Sequence, residues 1–247
     1  MKILIFGGTT EGRVLSRQLA GLGASVTVSV ATEYGAETQG QCPGVRVLCG
    51  RLETVQMVAM LPEYAACIDA THPYAVKASE NIRAACAQSG TEYRRLLRPA
   101  EEENGAETAA SAADAARMLA AREGRVLLTT GAKELEEFAF LGGERLVARV
   151  LPSTAGLAAC EQAGIPHKNI IAMQGPFSLE MNRATLRQYK IRWMVTKNGG
   201  GPGGFAEKLQ AAKACGVGLI VIERPEENGY TQQQILEWVQ KKLEEQA

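Results

Sequence analysis

Short apolar runs rich in β-branched residues alternate along this chain with stretches of helical period and glycine-containing turns. The first run, Lys2 to Phe6, reads as a strand, and it is followed from about Glu11 to Leu22 by a helical period in which Val14, Leu15, Leu19 and Leu22 share a face. Further strands are predicted at Ser25–Ala31, Val45–Leu48, Ala65–Ala70 and Glu92–Leu97, and helices near Leu52–Leu61 and Val76–Gln88. Between Arg98 and Thr108 the chain turns polar, with a run of like charge, as a link between domains does. The alternation then resumes. Helices are predicted at Ala112–Arg122, Thr154–Ala163, Ser178–Tyr189, Phe205–Cys215 and Gln232–Glu245, interleaved with strands at Arg125–Thr129, Arg145–Val150, Asn169–Met173, Arg192–Thr196 and Val217–Ile222.

Strands alternating with helices are the pattern of a parallel sheet with crossover connections. The pattern therefore predicts an α/β protein of two Rossmann-like domains with mainly parallel sheets: residues 1–98, a cofactor-binding domain, and residues 99–247, contributing a substrate cleft. Composition narrows the partners. With 27 basic and 27 acidic side chains among 247 residues there is no field to attract nucleic acid or an anionic membrane. No apolar run approaches the roughly 18 residues of a membrane span. The apolar N-terminal run stops at Gly7 and meets Glu11 and Arg13, which is not the form of a secretory signal, so a cytoplasmic protein is expected. The six cysteines form no C-x-x-C pair, and neither His72 nor His167 has thiols near it at zinc-ligand spacing. Reduced, mostly buried thiols and no metal are the expectation.

In open parallel sheets, ligands bind beyond the carboxyl ends of the strands, so the loops that follow strands carry the candidate chemistry. The first of these, Gly7-Gly8-Thr9-Thr10-Glu11-Gly12-Arg13, joins a strand to a helix where free backbone N–H groups and the helix dipole suit a pyrophosphate. It is not G-x-G-x-x-G, and Arg13 and Val14 stand where a P-loop needs Lys and Ser or Thr, so phosphoryl transfer is disfavoured. Thr32 and Glu33 follow the second strand, and Glu33 lies 21 residues beyond Gly12, near where a carboxylate binds the adenosine ribose. A carboxylate there favours NADH, whereas Arg13 and Arg51 could meet the extra phosphate of NADPH. The alternative reading of Glu33 is a solvated loop residue.

Asp69-Ala70-Thr71-His72-Pro73-Tyr74-Ala75 ends a strand and opens a helix, with Pro73 suited to a first turn. Thr71 and Tyr74 are candidate cofactor contacts, and His72 is a candidate proton carrier near neutrality. In the second half three loops share the strand-to-helix setting: Thr129-Thr130-Gly131, Gln174-Gly175-Pro176-Phe177-Ser178 and Thr196-Lys197-Asn198-Gly199 with the glycines after it. Five glycines in the six positions after Asn198 carry a high entropic cost for a simple turn, which points to close ligand approach. Basic residues recur at the strand ends, at Arg51, Arg98, Lys133, Arg149, Lys197 and Arg224, and suggest local recognition of carboxylates.

Together these segments resemble the precorrin-6A reductase family of corrin (vitamin B12) biosynthesis, including its cobalt-precorrin-6A branch. The resemblance rests on Gly7-Gly8-Thr9-Thr10-Glu11, Ser29-Val30-Ala31, Asp69-Ala70-Thr71-His72-Pro73-Tyr74-Ala75, Arg98-Pro99, Gly175-Pro176-Phe177, Thr196-Lys197-Asn198 and Arg224-Pro225. It implies reduction of one double bond in a polycarboxylate tetrapyrrole by hydride from NADPH or NADH, and admits other enzymes of that pathway as partners. On this footing Gly7 to Arg13, Thr32, Glu33, Thr71 and Tyr74 serve the cofactor. Thr130, Gly131, Gly175, Ser178, Lys197, Asn198 and Gly199 approach the substrate, and Lys197 and His72 are the catalytic candidates. Gly199 departs from the family, which usually has Ser after Lys-Asn, and Gly35 to Gly50 matches it poorly. Two other readings compete. A short-chain dehydrogenase or epimerase would need Tyr with Lys four residues later, and no tyrosine here has one. A non-catalytic nicotinamide sensor would bind cofactor without turnover.

Overall fold

The structure, a computed structural model, describes residues 1–98, 103 and 105–245. It divides into two compact units, Met1–Arg98 with Pro225–Ala247, and Pro99–Arg224. In the first unit the chain runs β1 (Lys2–Phe6), α1 (Thr10–Gly21), β2 (Ser25–Val30), α2 (Glu33–Gln39), β3 (Val45–Cys49), α3 (Thr54–Met60), β4 (Ala66–Asp69), α4 (Val76–Ser89) and β5 (Glu92–Arg95). Its five strands lie in the order β3-β2-β1-β4-β5, every pair parallel. Central strands buried on both faces need continuous apolar runs, and Ile3, Leu4, Ile5 and Phe6 are all buried. Ile3 and Ile5 pack with Leu15 and Leu19 of α1, while Leu4 and Phe6 pack with Met57, Leu61 and Ile82 on the other face.

The second unit runs β6 (Glu107–Ala109), α5 (Ala112–Ala120), β7 (Arg125–Leu128), β8 (Leu146–Val150), α6 (Thr154–Gln162), β9 (Ile170–Ala172), α7 (Leu179–Gln188), β10 (Ile191–Lys197), α8 (Phe205–Cys215) and β11 (Gly218–Ile222). Its six strands are ordered β6-β11-β10-β7-β8-β9, again all parallel. A 3-10 segment, Ala132–Leu141, stands in place of a crossover helix between β7 and β8. Its Leu135 and Phe138 are buried. Among the described residues no helix is long and apolar enough to cross a membrane, and no group of three or more His, Cys, Asp or Glu could hold a metal.

The domain assignment from sequence needs one correction. The last helix, α9 (Gln232–Glu244), was expected with the second domain but belongs to the first unit. Ile235 and Val239, one turn apart, enter the core formed by Ile3, Leu15, Leu19 and Val26. The segment before α9 extends the contact along β5: Tyr230 N–H donates to the Arg95 carbonyl (2.8 Å) and Leu97 N–H donates to the Tyr230 carbonyl (2.8 Å). Amphipathic spacing says that a helix buries a face; it does not say against which sheet. Two further elements escape the hydrophobic pattern. Helix α2 has Gln39 as its one buried side chain, and β6 is a three-residue Glu-Thr-Ala segment. The link expected between Arg98 and Thr108 thus overlaps β6, and its residues 99–102 and 104 lie outside the described residues. The cysteines are free, but only Cys67, Cys86 and Cys160 are buried, and Cys49 at the end of β3 is exposed.

At the end of β4, Asp69 is fully buried. Its Oδ1 accepts from Thr71 N–H (3.0 Å), Thr71 Oγ1 (2.7 Å) and Arg95 Nη1 (2.7 Å), and its Oδ2 from the Tyr93 hydroxyl (2.9 Å). Arg95, also buried, donates through Nε to Glu227 (2.8 Å), tying the returning C-terminal segment to β5. Burial, and then the Asp69 carboxylate beside it, push the Tyr93 hydroxyl well above the usual tyrosine range.

Two outcomes follow from this packing. Ile235→Ala should lower stability to urea by roughly 2–5 kcal/mol, the range for truncating a large buried aliphatic side chain. Gln233→Ala, on the exposed face of the same helix, should change it by under about 0.5 kcal/mol. Because Tyr93 holds its proton more tightly folded than unfolded, its contribution is fully present below a free tyrosine's pKa of about 10 and declines as pH rises above it. Denaturant titrations of wild type and Tyr93→Phe on both sides of that pH should show a steeper alkaline loss in wild type; parallel curves would refute the assignment.

Candidate active site

In the first sheet, β1 and β4 are neighbours, but the winding proceeds from β1 toward β2 and β3 on one side and from β4 toward β5 on the other. The loops after β1 and β4 consequently diverge and leave a crevice. Glycine is demanded in the first loop for distinct reasons. A Cβ at Gly7 would stand 2.7 Å from Val28 Cγ1, and one at Gly12 would stand 3.0 Å from Ala70 Cβ. Gly8 has φ +99° and nothing within 4 Å of a Cβ, so its constraint is conformational and the space before it is open. Thr9 caps α1: its Oγ1 accepts from Gly12 N–H (3.1 Å) and donates to the Ala70 carbonyl (2.8 Å), joining the two loops. Among the described residues no acceptor is found for the N–H groups of Gly8, Thr9, Thr10 and Glu11. Four such donors at the positive end of a twelve-residue helix form a cradle that fits a dinucleotide pyrophosphate.

The other cofactor candidates divide. Glu11 pairs with Arg98 (2.7 Å), and Arg13 donates to the Thr38 carbonyl (3.3 Å). Thr32 caps α2 by accepting from Gly35 N–H (3.0 Å), which makes Glu33 the exposed first residue of that helix, directly beyond β2. The Thr71 hydroxyl turns inward to Asp69 and receives Arg95 Nη1 (3.1 Å). His72 is exposed, and its Nδ1 accepts from Tyr74 N–H (3.4 Å). The His72 and Tyr74 rings lie 5.6 Å apart.

In the second sheet the corresponding divergence falls between β7 and β10, the two strands that carry Thr130-Gly131 and Lys197-Asn198 at their carboxyl ends. These four residues, far apart in sequence, are therefore brought to neighbouring loops. Thr130 Oγ1 is buried and has no hydrogen-bond partner among the described residues, and Gly131 has φ +90°. Lys197 Nζ lies 2.6 Å from Glu134 Oε1, in the 3-10 segment that follows Gly131. Asn198 is buried; its amide nitrogen donates to Glu103 (2.9 Å) and its oxygen accepts from Gly200 N–H (3.3 Å). Gly199 and Gly200 are buried beside it. Gly204, which immediately precedes α8, has φ +63°, and a Cβ on it would stand 3.4 Å from Pro176 Cβ, so the glycine-rich loop lies against the Gly175–Phe177 loop. Ser178 caps α7 by accepting from Met181 N–H (3.2 Å).

Three groups in this region were missed by sequence reasoning. Glu134 and Glu103 lie among many exposed acids, and nothing in their spacing marks them as partners of Lys197 and Asn198. Asn182, in the middle of a helical period, is buried and accepts from Arg149 (2.9 Å). An asparagine on the same helix face as Leu179 and Leu186 was the available signal. Arg149 itself was read only as one of six strand-end cations.

The precorrin-6x reductase CbiJ/CobK family model matches residues 2–240. A cobalt-precorrin-6A reductase of Salmonella typhimurium is 40% identical over 230 residues, covering 90% of this chain and 87% of its own. One of Methanothermobacter thermautotrophicus is 36% identical over 235 residues, covering 92% and 78%. The solved structure of CobK precorrin-6A reductase superposes with a TM-score of 0.77 at 27% identity, covering 98% of this chain and 97% of that one. With the motif order, the two parallel sheets and a match across nearly its whole length in agreement, the chain belongs to the precorrin-6x reductase family.

Proposed function

We propose that the protein reduces one double bond of precorrin-6A or its cobalt form in cobalamin biosynthesis, with a reduced nicotinamide dinucleotide as donor. The observation that carries this reading is a family match extending through both units, in a chain whose first βα turn presents four unengaged N–H groups. When bound, the dinucleotide supplies the hydride. The protein's own contributions are binding, orientation and a proton for the neighbouring carbon.

In this reading the N–H groups of Gly8 to Glu11 hold the pyrophosphate, and Gly7 and Gly12 allow the backbone to lie close enough to Val28 and Ala70 to form the cradle. Glu33, beyond β2, favours an unphosphorylated ribose, while Arg13 and Arg51 favour the phosphorylated one. Affinity measured with NADH and NADPH in parallel separates the two. Lys197, oriented by Glu134, offers an ammonium to a substrate carboxylate or to charge developing on the macrocycle. The orphaned Thr130 hydroxyl and the backbone at Gly131, Gly175 and Gly199 supply polar contact and room for close approach. Ser178 acts through its cap on α7. His72 is the proton donor in its imidazolium form, in which both ring nitrogens carry a proton and giving one up leaves the neutral ring.

The direct test is to mix the purified protein with precorrin-6A or cobalt-precorrin-6A and each reduced cofactor. Loss of nicotinamide absorbance that depends on the macrocycle is expected; its absence with both substrates and both cofactors would sink the reading. Lys197→Ala should lower turnover by more than about tenfold, the scale of losing one charge-stabilising group. Wild-type kinetics in that variant would remove Lys197 from the site. Gly8→Val places a β-branched residue at a φ it rarely adopts and a side chain inside the cradle. Calorimetry should find dinucleotide binding abolished, with unchanged affinity as the contrary result.

A further inference from the structure

Arg149, the penultimate residue of β8, is 6% exposed. Arg95 pairs with Asp69 and Glu227, and Arg98 pairs with Glu11. Among the described residues no carboxylate pairs with Arg149. Among the described residues its hydrogen bond runs from Nη1 to Asn182 Oδ1 (2.9 Å), and its guanidinium carbon lies over the face of Phe177, 4.0 Å from the ring centre. Burial alone pulls its pKa down to about 10, with no neighbouring charge acting against the shift.

The surroundings are built to hold this side chain. The Asn182 amide nitrogen donates to the carbonyls of Phe177 (3.1 Å) and Ser178 (3.0 Å), which fixes its oxygen toward Arg149. Phe177 follows Gly175, where a Cβ would stand 2.9 Å from the Phe177 ring, so glycine there allows the ring its place over the guanidinium. Aromatic stacking and a neutral amide orient an arginine without neutralising it. The edge carrying Nε and Nη2 is given no acceptor by the described residues, and that edge has the fork geometry that receives a carboxylate through two parallel hydrogen bonds.

We propose that Arg149 is the anchoring cation for one carboxylate of the macrocyclic substrate, with Phe177 and Asn182 as its positioning residues. The proposal rests on the reductase reading above and extends it: of the six strand-end cations, it assigns the anchor to one that sequence gave no reason to prefer. An isolated buried cation costs stability while the site is empty, and a bound carboxylate offsets that cost.

The test uses the full chain and the variants Arg149→Met, Arg149→Lys and Asn182→Ala. For each, kcat and KM for the macrocycle, the calorimetric Kd for the reduced dinucleotide and the ligand-free melting temperature are measured. Arg149→Met should raise the macrocycle KM by at least about tenfold and leave the dinucleotide Kd within about twofold, as expected for losing one buried charge-assisted contact. Its ligand-free melting temperature should be equal to or above wild type, because an unpaired charge is replaced by an apolar side chain of similar length. Arg149→Lys should fall between the two, retaining charge without the fork, and Asn182→Ala should raise KM more than it lowers kcat. An unchanged macrocycle KM in Arg149→Met overturns the proposal. So does a loss confined to dinucleotide affinity, which would assign the anion to a cofactor phosphate, and so does a lowered melting temperature with KM intact, which would make Arg149 structural. If Arg149→Met does not fold, Arg149→Lys with wild-type KM and kcat is the overturning result. A wild-type protein that neither binds nor reduces the macrocycle overturns the reductase reading and takes the anchor with it; normal wild-type turnover with an insensitive Arg149 overturns the anchor alone.

Discussion

A carboxylate removed completely from water must be surrounded by donors, and Asp69 meets that requirement through Thr71, Tyr93 and Arg95. Much of the first unit is positioned by this demand. Satisfying Asp69 turns the chain sharply after β4 and sets the Ala70 carbonyl, to which Thr9 donates, and the Ala70 Cβ, against which Gly12 closes. The two loops that diverge from the centre of the sheet are thus held in register by one buried group beneath them. Arg95 carries the same constraint outward to Glu227 and so to the segment that leads into α9.

The fold was largely legible because parallel strands buried on both faces require uninterrupted apolar runs, and Ile3–Phe6, Val126–Leu128 and Leu219–Ile222 carry them. The elements that escaped lack this signature. Helix α2 is held by a threonine cap and by the Gln39 amide on Ser16 Oγ (2.9 Å), and β6 is an edge strand that buries only Ala109. The destination of α9 was illegible for a different reason, since its burial partner is set by hydrogen bonds around Arg95 formed across the length of the chain.

For the candidate site, the sequence indicated which loops matter better than which atoms do. The glycines of the first loop, the Asp-Ala-Thr-His-Pro turn and the Lys-Asn-Gly run all fall at the carboxyl ends of parallel strands beside the divergence points. Several side chains within them turn inward. Thr9, Thr32 and Ser178 cap helices, Thr71 faces Asp69, and Glu11 faces Arg98. A hydroxyl in a strand-to-helix loop has the same sequence signature whether it serves a ligand or the first turn of the helix, and only its hydrogen bonds distinguish the two. The reverse error occurred at Arg149 and Glu134, where ordinary-looking charges acquire meaning from neighbours that no spacing rule connects.

The return of α9 to the first sheet has a temporal consequence. On a growing polypeptide, Leu15 and Leu19 emerge early, but the Ile235 and Val239 side chains that complete their core are added only after all of β6 to β11 has been synthesised. The glycine cradle is therefore made long before the packing that finishes its supporting layer, and an apolar flank of the first sheet stays uncovered while the second sheet is synthesised.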